Sequence, residues 1–184
     1  MKKLNKVVKI IARVFEISHW VAAGLMVAVA ICSTAASQWL GYFIDMNDLR
    51  QEAEASVYGF EVAIANSAGE VNKTTLLLFA IGSVVIYALV AMIFRNIYLI
   101  IKKSESETPF NKDNIRMLRE IGIFSIAIPV IGLIMSTIIR LVVGVDVTET
   151  SVNMYGLVMG IIVLCVTQFF AYGAKLEQDV DGLL

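Results

Sequence analysis

The sequence has little charge, few helix-breaking residues and few residues that bind metals. Of its 184 residues 17% are charged, and it contains two prolines, two cysteines and one histidine. Soluble domains average about 25% charged residues, whereas the 58% of hydrophobic residues here lie in long runs, so a soluble fold is excluded. The single histidine and the separated Cys32 and Cys165 form no cluster with metal-ligand spacing. We therefore expect no metal site and no cofactor.

Aspartate and glutamate are absent from the apolar cores of four long segments. Each segment reaches the roughly 20 residues that a helix needs to cross the hydrocarbon core of a bilayer. Backbone amides in lipid need internal partners, and the segments show no period-two alternation, so we expect helices and not barrel strands. We predict an all-α membrane protein, a four-helix bundle in one domain over residues 1–184, with spans at 17–40, 74–101, 121–143 and 154–174.

The missing carboxylates also limit the function. Ionisable groups inside a bilayer mark transport paths and proton relays, and hydrolysis needs a paired acid and base. No phosphate-binding loop, nucleophile elbow, zinc-protease motif or dinucleotide fingerprint occurs in the sequence. We expect a protein that is not an enzyme and has no catalytic residues. The net charge of −1 gives no reason to expect direct binding of nucleic acid.

Lysine and arginine concentrate on one side of the predicted spans. Most of the 15 basic residues lie in the N-terminal segment or around the connection 102–120, while the other side has Arg50, Lys73 and Arg140. Because short cytoplasmic segments are enriched in basic residues, we predict that both termini and the connection 102–120 lie in the cytoplasm. The first span is longer than the apolar part of a signal peptide, which has about 7–15 residues, so we expect a retained helix.

Small residues in two spans predict close helix packing. Lipid tails give helices no hydrophobic reason to associate, and small side chains let helix backbones approach each other. The predicted packing residues are a ladder in the first span and a GxxxG pair in the fourth: Gly24, Ala28, Cys32, Ala36, Gly156 and Gly160. We expect contacts within one chain, with a homodimer seam as the alternative.

The few polar groups of the spans are modest. We expect His19, at the start of the first span, to be a solvated or packed ring, with a pH-sensitive group as the alternative. Thr167 and Gln168 in the fourth span are expected to form hydrogen bonds across helices.

The predicted outer loops, 41–73 and 144–153, suggest a small extracytoplasmic cap. The segment 45–55 is typical of a helical continuation, whereas 56–64 is strand-like and 142–148 has a similar β-prone pattern. The first loop is acidic. We predict a β-containing cap that serves as a solvated acidic lid, with binding of a cationic peptide as the alternative.

The connection 102–120 ends in a basic amphipathic helix. Asn111 suits an N-cap, and Phe110 and Ile115 have the spacing of a hydrophobic staple. Apolar residues then share one face, while Lys112, Arg116 and Arg119 share another. Such a helix lies in the lipid headgroup layer or docks a cytoplasmic partner.

Two stretches of the second half carry a resemblance. The first runs from Thr108-Pro109-Phe110 through Asn114-Ile115-Arg116 and Leu118 to Ile121-Gly122. The second is the end of the chain, 169–184, where a glycine, a leucine, acidic residues and a short apolar end follow one another. Over residues 102–184 the chain resembles a bacterial family of uncharacterised four-helix membrane proteins, a domain of unknown function. Genes of that family often lie beside a small helix–turn–helix regulator, so the resemblance implies membrane-bound signalling.

We therefore expect a non-enzymatic regulatory or sensory partner in a bacterial cytoplasmic membrane. The alternative is a small oligomeric transport, efflux or immunity protein. The expected partners are the lipid bilayer, a helix–turn–helix regulator and a second copy of the chain. Two cytoplasmic parts are expected to pair with each other; the alternative is an acidic tail that imitates DNA toward a basic regulator. Their residues are Phe110, Asn111, Asn114, Arg116, Arg119, Glu177, Asp179 and Asp181.

Overall fold

Four long helices dominate the computed structural model, which describes residues 2–35, 54–64, 71–105, 108–144, 147–148 and 154–181. Each helix is long and apolar enough to cross a membrane, so the prediction of four candidate spans is confirmed. The elements in chain order are α1 (Lys2–Ala35), β1 (Glu54–Val57), β2 (Phe60–Ala63), α2 (Lys73–Lys103), α3 (Lys112–Val142) and α4 (Met154–Asp181).

The helices extend beyond the predicted apolar spans. α1 already begins at Lys2, α3 includes the basic segment from Lys112, and α4 continues through the acidic residues to Asp181. Lysine, arginine, glutamate and leucine favour the helix intrinsically, so a change from apolar to charged residues does not end one. Pro129 lies inside α3, which continues on both sides of it.

Asparagine side chains cap two of the helices. Asn72 Oδ1 accepts hydrogen bonds from the N–H groups of Thr74 and Thr75, at 3.0 and 3.2 Å. Asn111 Oδ1 accepts one from the N–H group of Asp113 at 2.8 Å, which confirms the predicted N-cap of α3. Both caps supply acceptors to N–H groups that have no partner within the first helical turn.

The chain forms two compact units. The terminal unit comprises Met1–His19, Leu89–Ala127 and Tyr155–Leu184, and the hairpin unit comprises Trp20–Ala88 and Ile128–Met154. The candidate surface described below belongs to the terminal unit.

A two-stranded antiparallel hairpin lies in the hairpin unit. Val57 pairs with Phe60 across a two-residue turn, in which Tyr58 and Gly59 have φ values of 52° and 84°. Positive φ at both positions is typical of a type I′ turn, whose twist matches that of the strands. The strand-like character predicted for 56–64 is present, but the sequence prediction was wrong in missing the reversal at Tyr58 and Gly59, which divides the segment into two strands. Burial, together with the neighbouring Tyr87, raises the pKa of the Tyr58 phenol.

Two other predictions for the loops are also wrong. Glu54 and Ala55, expected to be helical, belong to β1 because the strand pairing extends to Glu54 and Ala63; residues 45–53 lie outside the described part. In the β-prone segment, the described residues 142–144 and 147–148 form no strand. α3 continues through Val142, and Thr148 Oγ1 instead donates a 2.5 Å hydrogen bond to the Glu61 carbonyl oxygen.

Phe60 forms the centre of the hairpin unit's core. Its side chain is 1% exposed and stacks on Phe79 with ring centroids 5.2 Å apart. A Cβ atom at Gly82 would lie 2.9 Å from the Phe60 ring, and one at Gly132 would lie 3.4 Å from its Cβ. Gly82 of α2 thus leaves room for the ring, whereas at Gly132 of α3 an added Cβ atom would make an ordinary van der Waals contact with Phe60.

Candidate functional site

The start of α3 is joined to the end of α4 through Phe110. The ring of Phe110 lies beside Phe170, with centroids 5.5 Å apart, and against the backbone of Gly173. Thr108 Oγ1 donates a 3.1 Å hydrogen bond to Glu177 Oε2 and accepts one from the Phe110 N–H group at 3.3 Å. We call these five residues the α3–α4 joint.

Gly173 allows the ring of Phe110 to reach the surface of α4. A Cβ atom at this position would lie 2.8 Å from Cε1 of Phe110, which is closer than side chains approach each other. The structure places the Phe110 ring on α4, beside Phe170 and Gly173. The staple expected between Phe110 and Ile115 stays a prediction.

Asn114 is a buried positioning residue, so its prediction as an interaction residue is corrected. It is 2% exposed, and its Nδ2 donates to Ser104 Oγ and to the Pro109 carbonyl oxygen, both at 3.4 Å. The side chain therefore ties α3 to the segment that precedes it. The predicted surface residue Asn111 is half-buried and serves as the cap.

The basic residues of the first turns of α3 remain exposed. The side chain of Arg116 is 69% exposed and lies 3.7 Å from Glu120, measured from Nε to Oε1. Lys112 and Arg119 are exposed as well. These three residues form the basic face. Glu120 is held by Asn96 of α2, whose Nδ2 donates a 3.0 Å hydrogen bond to Oε2.

The acidic end of α4 lies next to this helix start. Glu177 and Asp179 are exposed on the last turns of α4, while the side chain of Asp181 lies outside the described part. We call these three residues the acidic end. Glu177 contacts Thr108, and among the side chains that the structure describes no ion pair links the acidic end to the basic face. The described residues of both charged groups are exposed within the chain.

Ion pairs link the start of α1 and the start of α3 to residues 103–105, at the end of α2. Lys9 Nζ lies 2.7 Å from Glu105 Oε1, and Lys103 pairs with Asp113. Glu16 is buried and pairs with Arg13 at 2.7 Å, and the guanidinium of Arg13 lies over the ring of Tyr98.

His19 is a packed ring. It is buried, its Nδ1–H donates a 2.7 Å hydrogen bond to the Phe15 carbonyl oxygen, and its ring centroid lies 5.6 Å from that of Phe94. This agrees with the expectation of a solvated or packed ring. In α4, Thr167 Oγ1 donates a hydrogen bond to the Val163 carbonyl oxygen of its own helix and not across helices, and Gln168 is exposed.

Gly160 takes part in a close contact between helices, and Gly122 is its partner. A Cβ atom at Gly160 would lie 2.5 Å from Ile126 Cγ1 and 2.8 Å from the Gly122 carbonyl oxygen. Gly156, the other half of the predicted GxxxG pair, is half-buried. The contact pairs one glycine from each helix, which lets the backbones of α3 and α4 approach closely.

The ladder predicted in α1 forms no such contact within the chain. Gly24 and Ala28 are exposed, and a Cβ atom at Gly24 would meet no atom within 4 Å. Cys32 is half-buried and packs beside Ile64 and Leu76 of the hairpin unit. Ala36 lies outside the described residues. The prediction of close packing within the chain is therefore wrong at Gly24, which faces outward.

Sequence reasoning missed Thr108, Gly173 and Gly122 as contact residues. All three lie within the two stretches that carry the family resemblance, but nothing in their spacing shows which helix each one faces. The described residues contain no group of three or more histidine, cysteine, aspartate or glutamate side chains that could hold a metal.

Comparison of the chain with models of known protein families, with curated proteins and with solved structures found no match in any of the three. The family resemblance stays a prediction, and function has to be argued from the surface itself.

Proposed function

We propose that the chain is a non-enzymatic protein of a bacterial cytoplasmic membrane that acts as a regulatory or sensory partner through the end that carries its termini. The observation behind this proposal is the α3–α4 joint. Phe110 packs on Gly173, and Thr108 contacts Glu177. The joint holds the exposed basic face next to the exposed Glu177 and Asp179 of the acidic end, and this two-sign surface is our candidate for partner binding.

The charge of this end supports a cytoplasmic position. α2 finishes at Lys102 and Lys103, and the basic face follows in the first turns of α3. Basic residues accumulate next to spans on the cytoplasmic side. The hairpin unit would then contribute the extracytoplasmic cap, with the hairpin held between α2 and α3 by Phe60.

A protein partner suits the surface better than a lipid surface alone. Anionic headgroups attract basic side chains but repel carboxylates. A protein can present both signs in a fixed pattern, and such complementarity gives specificity. The acidic end would contact the basic DNA-binding face of a small helix–turn–helix regulator, and the basic face would contact an acidic part of the same protein.

The test is binding of the full chain, in lipid nanodiscs, to a small helix–turn–helix regulator of the kind that the family resemblance implies as its gene neighbour. We expect the double variant Arg116→Glu, Arg119→Glu and a chain truncated after Lys175 each to bind at least about tenfold more weakly, since each loses several complementary charges. The matched control is Lys73→Glu, which changes an exposed charge at the start of α2, in the hairpin unit.

Two outcomes would overturn the proposal. If the wild-type chain does not bind the regulator, the partner is wrong. If all variants bind as well as the wild-type chain, the basic face and the acidic end are not the binding surface.

A further inference from the structure

Two helices of the terminal unit carry exposed apolar faces with the spacing of a coiled coil. On α1 the face consists of Leu4, Val7, Ile11 and Val14, all of them exposed. Steps of three and four residues place side chains along one seam of a helix. An exposed seam with the same steps occurs on α4, at Ile162, Cys165, Phe169, Tyr172 and Leu176.

Both seams extend to the level of the polar connection between α2 and α3. Lys9 of α1 pairs with Glu105, and Glu177 of α4 contacts Thr108. The segment of the same chain at this level is charged, since Lys103 and Asp113 form another ion pair. Lipid tails do not solvate charged groups. Hydrocarbon therefore covers poorly the part of each seam that lies at the level of the charged connection between α2 and α3.

The two seams end in charges of opposite sign. The first turns of α1 carry Lys2, Lys3 and Lys6, whereas the last turns of α4 carry the acidic end. The helix dipoles add to this difference, because the N-terminus of a helix is positive and the C-terminus is negative. α1 runs away from the connection between α2 and α3, whereas α4 runs toward it. The two helices therefore point in opposite directions and can pair as an antiparallel coiled coil.

We propose that a second copy of this chain covers these faces, with α1 of each copy packed antiparallel against α4 of the other. Such an arrangement has twofold symmetry and buries both seams of both copies. Val14 lies five residues beyond Lys9, and Tyr172 lies five residues before Glu177. Since both helices rise about 1.5 Å per residue, Val14 of one copy is level with the partner's Tyr172.

Cysteine cross-linking between two different copies tests this pairing. Both copies carry Cys32→Ser and Cys165→Ser. One tagged copy has Val14→Cys and the other has Tyr172→Cys, so that only a contact between molecules can join them. We expect a disulfide-linked species with both tags after mild oxidation in the native membrane.

The matched control replaces Val14→Cys with Phe15→Cys in the first copy. Phe15 is 46% exposed, compared with 58% for Val14, but it is rotated by about 100° around the helix. Because a disulfide needs closely spaced Cβ atoms, we expect at least about fivefold less product from this pair. Equal yields from the two pairs would overturn the proposal.

A charge exchange gives a second measurement that does not depend on cysteines. Asp179→Lys should raise the dimer dissociation constant about tenfold, as expected for the loss of two exposed ion pairs, one in each of the two symmetric contacts, and Lys6→Glu in the same chain should restore it. Gln178→Lys adds a positive charge at the neighbouring position, off the seam, and should have little effect. Equal weakening by the two lysine substitutions would contradict the proposed pairing.

Other occupants of the faces give distinct results. Preferential linkage of Val14→Cys chains to each other would show an α1–α1 seam. A wild-type chain that stays monomeric in nanodiscs at micromolar concentration, with no cross-linking, would show that lipid covers the faces. Either result overturns the proposal.

Discussion

Single glycines decide how closely α3 and α4 approach each other. At Gly160 the nearest atoms to an added Cβ include backbone atoms, the Gly122 carbonyl oxygen and the Ile126 nitrogen, which cannot rotate away as a side chain can. Gly24 of α1 is also helical, but an added Cβ there would meet nothing within 4 Å. The two residues are therefore alike in chemistry, but only Gly160 lies in a close contact between helices.

Gly160→Ala should therefore destabilise the protein, whereas Gly24→Ala should not. We expect Gly160→Ala to lower the free energy of unfolding by about 1–3 kcal/mol, the usual effect of overpacking. Gly24→Ala should be neutral or slightly stabilising, because alanine favours the helix. Unfolding of both variants in mixed detergent micelles measures the difference. Equal stability of the two variants would contradict the close contact at Gly160.

Some contacts of single residues cannot be predicted from the sequence. Gly160 could be selected from its spacing, but its partner Gly122 could not, because the spacing within one helix does not identify the facing helix. Asn114 is polar and lies on a charged segment, so the sequence favoured exposure. It is 2% exposed and donates hydrogen bonds to Ser104 and Pro109 in the preceding segment, and contacts with an irregular segment leave no periodic pattern.

Two helices begin after an asparagine whose side chain supplies the hydrogen-bond acceptor that the first helical turn lacks. α2 begins after Asn72 and α3 begins after Asn111, and both asparagines accept hydrogen bonds from the first turn. The Asn111 cap has an added role, because it directly follows Phe110 and so fixes the start of α3 at the α3–α4 joint.

Asn111→Ala should loosen the first turn of α3. Loss of an N-cap costs about 1 kcal/mol, which corresponds to about fivefold faster local amide exchange. Hydrogen exchange with mass spectrometry should show this increase at the start of α3 and in the joint. Asn72→Ala is the matched control and should affect only the start of α2. Unchanged exchange in α3 after Asn111→Ala would show that the cap does not hold the helix start.

Hydropathy predicts the existence of the elements better than their ends. The four apolar segments each became one helix, since backbone groups in lipid must be satisfied within the segment. Several helix ends lie beyond the predicted spans, because charged, helix-favouring residues such as Lys112 continue the helix past the hydrocarbon. The hairpin turn was missed because Tyr58 is not a usual residue at positive φ, although Gly59 is a turn residue that could have marked it.

The whole molecule combines four apolar helices with charge at the end that carries the termini. The terminal unit contains both the α3–α4 joint and the exposed seams of α1 and α4. A protein with these features would place its two-sign surface and its dimer contact on the same side of the membrane. Regulation through that surface requires that it face the cytoplasm.

Labelling of single cysteines in spheroplasts tests this requirement most directly. In a Cys32→Ser, Cys165→Ser background, a membrane-impermeant maleimide is added to cells that carry Lys73→Cys, Arg116→Cys or Asp179→Cys. We predict labelling of Lys73→Cys in intact spheroplasts and labelling of the other two only after lysis, because basic segments stay in the cytoplasm. Labelling of Arg116→Cys and Asp179→Cys in intact spheroplasts would place the surface outside and contradict the account.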